Sequence, residues 1–376
     1  VTVDPILFSR PFHSPAEIQN VAAVLATDHV HGDGPFTASA SARLKNMTGA
    51  AHALLTTSGT HALEMAVRLV GVKPGDEVIL PSFTFSSGAT AIVAAGATPV
   101  FVDMELATGN IAVDQIEAAI TERTQAIEVM HYGGVPVDMS AVLSLAAAHD
   151  LRVIEDNAHG LAVKSPGGVL GTIGDVGIQS FHDTKNVHCG EGGAVLFGTE
   201  ALTEPAEVMR EKGTNRSRFL RGQVDKYTWV DWGSSYLPSE LNAAVLDAQL
   251  SSFDSIQSAR FGVWNAYREE LGDWAVANGV TLMDPPGGVH AAHVFWLLLP
   301  SPERRDAVLA NMRAEGVQAT FHYVPLHSSP AGQAYGRTSG SMLNTDDFAS
   351  RQLRLPLWAG MSEADIARVI ATLKKS

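Results

Sequence analysis

Between residues 51 and 197 one pattern recurs: a short apolar run, then in most intervals an alanine-rich stretch with apolar residues three and four apart. The runs fall at 53–56, 77–80, 99–102, 126–130, 152–155, 176–179 and 194–197. Strands that are apolar throughout, joined by amphipathic helices, bury both of their faces. The rhythm therefore predicts an α/β fold with a mostly parallel seven-stranded sheet and helices on both sides. Lys73-Pro74-Gly75-Asp76 reads as the turn that ends one helix and starts the next strand. After about Ser252 the texture changes to a long helical stretch, a clear strand at 293–299 and a helix at 304–315. The expected division is a large unit at 27–252 and a smaller C-terminal α+β unit at 253–376. Residues 1–26 are expected to pack on the smaller unit as an N-terminal segment. A chain of 376 residues, 45% of them hydrophobic, has material for both cores.

Two of these strands end in chemistry. The run at 152–155 delivers Asp156, and the run at 176–179 leads into Ser180-Phe181-His182-Asp183-Thr184-Lys185, followed by the flexible Gly190-Glu191-Gly192-Gly193. A lysine among apolar and glycine-rich neighbours is partly desolvated, which favours the neutral amine, a nucleophile toward carbonyls. A Schiff-base lysine and a carboxylate for the pyridinium nitrogen are what pyridoxal phosphate most needs from a protein. Taken singly, Lys185 reads as a solvated loop residue and Asp156 as a helix cap or a metal ligand.

The third element lies upstream, where Thr57-Ser58-Gly59-Thr60 joins a strand to a helix. Small residues there open free backbone N–H groups to a phosphate, although Ser58 or Thr60 would also serve as an ordinary N-cap. Phe85, after the next strand, is placed to stack on a flat ring at the carboxyl edge of the sheet, or to fill the core.

The series Ser58-Gly59-Thr60, 75–81, Phe85, Glu155-Asp156-x-x-His159, 180–185 and 190–193 resembles the sugar-nucleotide aminotransferases of the DegT/DnrJ type, and the likeness runs from Arg10 to Leu357. These are fold-type I pyridoxal phosphate enzymes. Segments 211–217, 221–229 and 322–327 are similar to the branch that aminates dTDP-4-dehydro-6-deoxyglucose at C4, which includes the dTDP-4-amino-4,6-dideoxygalactose transaminases. The resemblance implies that Lys185 carries the cofactor and Asp156 pairs with its ring nitrogen. His159 would reach the ring hydroxyl, Phe85 would cover the ring, and Gly59, Thr60 and Ser180 would hold the phosphate. It also implies a homodimer in which Ser235 completes the neighbour's site. The substrate would be a dTDP-sugar contacted by Lys212, Arg216, Tyr323 and His327, with glutamate as donor. His327 reads equally as an interface residue. A C3-specific enzyme on the same scaffold and a non-catalytic cofactor-binding regulator are the alternatives. The family's dehydratases resemble this pattern with histidine where Lys185 stands.

The net charge of −14 argues against nucleic acid as a partner. The single cysteine, Cys189, excludes an intramolecular disulfide and a thiolate-rich metal site. No histidine pair shows metal-ligand spacing, so no metal is expected. Without an apolar run of about twenty residues or a charged-then-apolar leader, a cytoplasmic protein with no membrane partner is the expectation.

Overall fold

The computed structural model describes residues 4–376. All seven expected strands form: β1 (His52–Thr56), β2 (Glu77–Pro81), β3 (Thr98–Val102), β4 (Thr124–Met130), β5 (Arg152–Asp156), β8 (Val176–Ser180) and β9 (Gly193–Phe197). Between β5 and β8 lies a two-residue hairpin, β6 (Lys164–Ser165) and β7 (Gly168–Val169). Later come β10 (Thr281–Leu282), β11 (Trp296–Leu298), β12 (Arg337–Thr338) and β13 (Gln352–Arg354). The main sheet runs in the order β1-β9-β8-β5-β4-β2-β3-β12, parallel except for β9, which is antiparallel to β1 and β8.

Period-two alternation sorts the strand residues onto two faces. Val78, Leu80, Ala126 and Ile154 pack under α3 (Gly59–Leu69) and α4 (Ser87–Ala94), while Ile79, Ile127 and Val153 pack under α5 (Met139–Ala148). At the β1 edge, Leu55 and Leu196 meet Leu44 of α2 (Pro35–Thr48) and Leu246 of α8 (Glu240–Ser251). Two further helices, α6 (Thr203–Arg210) and α7 (Arg216–Leu220), lie between β9 and α8 in the chain.

The C-terminal region packs α9 (Phe253–Ala277), α10 (Pro302–Ala314), α12 (Leu343–Arg351) and α13 (Glu363–Lys375) around the antiparallel sheet β10-β11-β13, with the short α11 (Pro330–Tyr335) preceding β12. Its core of Tyr267, Trp296, Phe348 and Leu353 is continuous with Phe83, Met130 and Tyr132 at the carboxyl edge of the large sheet. That continuity seats it over the site.

Two features depart from expectation. The main sheet has an eighth strand, β12, which pairs Arg337 with Val100 at the β3 edge. Two residues are too few to show a period. The N-terminal segment, expected to pack on the smaller unit, divides between the two units. Ile6 bridges Val317, but α1 (Pro15–Leu25) lies on α8, with Asn20 Nδ2 donating to the Ala244 carbonyl at 3.1 Å. Its first three residues lie outside the described ones. No helix among the described residues is long and apolar enough to cross a membrane.

Candidate active site

Gly59, Thr60, Phe85, Asp156, His159, Ser180, Lys185 and Tyr323 line one cleft of about 430 Å³ at the carboxyl edge of the parallel strands. This is where open α/β sheets collect their loops and helix N-termini.

At one end, Ser58 caps α3 by accepting from the His61 amide at 3.0 Å, leaving the N–H groups of the first turn to a ligand. A side chain at Gly59 would lie 2.9 Å from Ser180 Cβ, so only glycine lets the two backbones approach so closely. Thr60 Oγ1 and Ser87 Oγ stand 2.7 Å apart, which brings the N-termini of α3 and α4 to the same point. Two helix dipoles and three hydroxyls, those of Thr60, Ser87 and Ser180, suit a phosphate dianion.

At the other end, Lys185 sits on the loop between β8 and β9. That loop is held by Lys185 N–H to His182 O at 2.9 Å and Cys189 N–H to Phe181 O at 2.9 Å. Its amine is desolvated, and the nearby Arg354 guanidinium also disfavours a second positive charge. Asp156 opposes both, and the lysine is pulled down to about 8. Asp156 is buried, which raises its carboxyl above the usual range. One oxygen accepts from the Ala158 amide at 3.0 Å, while the other has no hydrogen bond among the described residues. A free, desolvated acceptor of this kind suits a cationic ring N–H. Its neighbour His159 accepts at Nδ1 from the Gly133 amide at 3.3 Å, and burial holds it neutral with Nε2 unengaged. Phe85 is 58% exposed at the mouth rather than in the core. Lysine, free carboxylate and phosphate cup together fit pyridoxal phosphate.

The structure adds residues to those that the strand-end motifs placed here. His293 lies 4.1 Å from the His159 ring and donates from Nδ1 to Asn186 Oδ1, whose amide nitrogen is already committed to the Ala291 carbonyl. His322 stacks on Tyr323 at 4.0 Å. Gln352 donates to the Tyr132 hydroxyl at 2.7 Å, and that hydroxyl lies within hydrogen-bond distance of His322 Nδ1, at 3.2 Å. Arg354 and Phe8 line the cleft as well. These residues come from β13, the small-region loops and the N-terminal segment, far apart in sequence.

Four expected residues lie elsewhere. Ser235 bridges Glu211 on a strap outside the cleft. Lys212 and Arg216 line a separate groove, and both spend their charge on Glu211, at 3.6 and 3.4 Å. Arg218 and Arg221 are likewise taken by Glu204 and Glu207. His327 is held behind the cleft wall, with Nδ1 2.7 Å from Ser82 Oγ and Nε2 3.5 Å from Asp346.

The model of the DegT/DnrJ/EryC1/StrS aminotransferase family matches residues 12–374. A UDP-N-acetyl-3-dehydro-alpha-D-glucosamine 3-aminotransferase of Acidithiobacillus ferrooxidans is 33% identical over 89% of this chain and 87% of its own. The spore coat polysaccharide biosynthesis protein SpsC of Bacillus subtilis is 31% identical over 98% and 96%. The crystal structure of the aminotransferase TlmJ from Streptoalloteichus hindustanus superposes with a TM-score of 0.90 at 30% identity, over 99% of this chain and 98% of that one. Matched almost from end to end and holding lysine, aspartate and phosphate cup in one cleft, the chain belongs to the DegT/DnrJ/EryC1/StrS family of pyridoxal phosphate-dependent aminotransferases.

Proposed function

We propose that the chain transfers an amino group from an amino acid, glutamate, to the C4 ketone of a nucleotide-linked 4-keto-6-deoxy sugar, dTDP-4-dehydro-6-deoxyglucose. The observation that carries the transamination itself is the convergence of Lys185, Asp156 and the α3 N-terminus on one cleft. The sugar substrate is supported by the family match and by the motif likeness of 211–229 and 322–327.

On this reading residues 27–252 form the cofactor-binding unit and 253–376 the smaller unit that closes over it. Gly59, Thr60 and Ser180 hold the cofactor's phosphate, Phe85 covers its ring, Asp156 pairs with the ring nitrogen and His159 meets the ring hydroxyl. When bound, pyridoxal phosphate supplies the electron sink that makes the donor's Cα–H acidic. Lys185 Nζ, brought near pH 8 by burial, takes that proton once it is released from the cofactor. In the second half-reaction the same amine delivers a proton to the sugar carbon that receives nitrogen. Tyr323, beside His322 on the cleft wall, contacts the sugar.

The working unit is a homodimer, with Ser235 of one copy completing the neighbour's phosphate site and Lys212 and Arg216 facing the neighbour's nucleotide. Supporting this, the strap around Ser235 exposes Leu220, Tyr227, Trp229 and Val230, each more than half accessible, an apolar patch suited to a second copy.

One observation favours a second reading, amination at C3: the Acidithiobacillus ferrooxidans relative carries a C3 name. The deciding experiment supplies glutamate and either the 4-dehydro or the 3-dehydro sugar nucleotide, and assigns the product by mass and proton couplings. Nitrogen at C4 supports the proposal and nitrogen at C3 replaces it. A chain that never loses its visible absorbance with any amino acid would be the non-catalytic regulator.

A further inference from the structure

One buried cation in the cleft has no partner. Arg354 ends β13, where Arg354 N–H to Thr320 O at 2.7 Å and Thr320 N–H to Arg354 O at 3.2 Å fix its backbone. The residue is 6% exposed, and Nε is enclosed without a hydrogen bond. None of its other side-chain N–H groups donates to the protein, and no carboxylate lies within 4.0 Å, among the described residues. Other buried arginines have partners for their guanidinium, although Arg210 Nε is also without a hydrogen bond among the described residues. Arg210 meets Asp33 at 2.7 Å, and Arg260 donates to the Ala292 and His293 carbonyls at 3.0 and 2.8 Å. The guanidinium of Arg354 instead lies over the Phe8 ring, 4.5 Å from its centroid. A cation–π contact orients the fork while leaving every N–H free. Burial lowers this arginine from its ordinary value, and its charge in turn depresses Lys185, His159, His293 and His322. An unpaired buried charge is costly, so a fold that keeps one keeps it for an anion that arrives from outside.

We propose that Arg354, stacked on Phe8, is the receptor for the α-carboxylate of the amino donor. This rests on the aminotransferase reading and adds to it the donor's docking site. An α-carboxylate is two bonds from the nitrogen being transferred, so its receptor has to stand beside Lys185, as Arg354 does. The cofactor's phosphate belongs to the cup at Gly59 and Thr60. The sugar nucleotide's diphosphate leaves the anomeric carbon, across the ring from C4, and so points away from the reacting centre. A planar fork also matches a carboxylate bidentately. Because the same cleft must next admit a keto sugar, a built-in carboxylate partner would compete with the donor. The Phe8 face holds the fork without competing.

The test uses holoenzyme carrying Arg354→Gln and Arg354→Lys. Three quantities are read: loss of visible absorbance against L-glutamate concentration, calorimetric binding of the unreactive dicarboxylate glutarate, and KM for the keto sugar on amine-loaded enzyme. With Arg354→Gln the half-saturating glutamate and the glutarate Kd are expected to rise about 10- to 100-fold, the loss of one charge-assisted pair. Arg354→Lys should recover part of this, and the sugar KM should stay within about twofold. Because removing an unpaired buried charge does not weaken a fold, the thermal midpoint should hold or rise. Unchanged glutamate and glutarate affinity overturns the proposal, as does a sugar KM that rises in their place, which would move the anion to the diphosphate. If Arg354→Gln fails to fold, Arg354→Lys and glutarate still decide. If the wild type itself never reacts with glutamate, the choice of glutamate as donor fails, and glutarate binding separately judges Arg354.

Discussion

Two edges of the same sheet treat buried charge in opposite ways. At the β3–β12 edge, Glu77 is fully buried and fully paired. Arg337 donates to both of its oxygens, at 3.1 and 2.7 Å, Thr121 adds a bond at 2.8 Å, and Arg123 closes the cluster. The Arg337 guanidinium, with help from Arg123 and Thr121, holds the Glu77 carboxyl at about 2 despite burial. Around the cleft the rule is reversed. Asp156 keeps a free oxygen, Arg354 has no anion, Lys185 is held below its usual range, and Glu128 lies buried on β4 with Oε2 unpartnered. A satisfied cluster staples an edge strand too short to hold itself. Unsatisfied groups mark the place where cofactor and substrates supply the missing partners.

The largest effect is expected at Lys185. Lys185→Ala should abolish transamination and the borohydride-trapped covalent adduct while cofactor still binds through the phosphate cup. An adduct mapped to another lysine would refute the assignment. Asp156→Asn should fold normally yet lower turnover about a thousandfold, as loss of a catalytic charge does. A mutant within threefold of wild type would make Asp156 a structural cap. At the opposite edge the readout is stability rather than rate. Glu77→Gln strands Arg337 and should cost about 3 kcal/mol in urea unfolding, with kcat intact. In the wild type this stability is present above the carboxyl's unfolded value near 4.5 and fades as pH falls toward about 2.

Glu128 gives the smallest and most discriminating effect. Burial, with Asp156 adding to it, raises its carboxyl to about 8, so the folded chain holds a proton that the unfolded chain releases near 4.5. Stability should therefore decline as pH rises from 5 to 8, at about 1 kcal/mol per unit or less. Glu128→Gln should flatten that slope and leave the protein more stable at pH 8. Parallel slopes would mean that Glu128 has a partner.

Much of this was legible in the chain because it is local. Strand periodicity located all seven strands of the expected sheet, and short motifs at strand ends located Gly59, Asp156, His159, Ser180 and Lys185, each aimed by the few residues around it. Arg354, His293 and Phe8 carry no such signature. An arginine beside Leu355-Pro356 in a strand is indistinguishable from a paired one until the fold shows that no carboxylate among the described residues comes within 4.0 Å of it.

The basic run at 212–226 shows the same limit from the other side. The sequence shows its cations without their partners, whereas in the fold Glu204, Glu207 and Glu211 from α6 and the turn after it lie within ion-pair distance of four of them. Composition, period and motif decided the layer architecture, the strand order's raw material and the place of Lys185 at a strand's end, since each depends on neighbours within a few residues. Which charges are satisfied, which histidines share a cleft and where β12 attaches depend on contacts between segments hundreds of residues apart. Those are set by the energy of the whole packed core, and only the tertiary structure decides them.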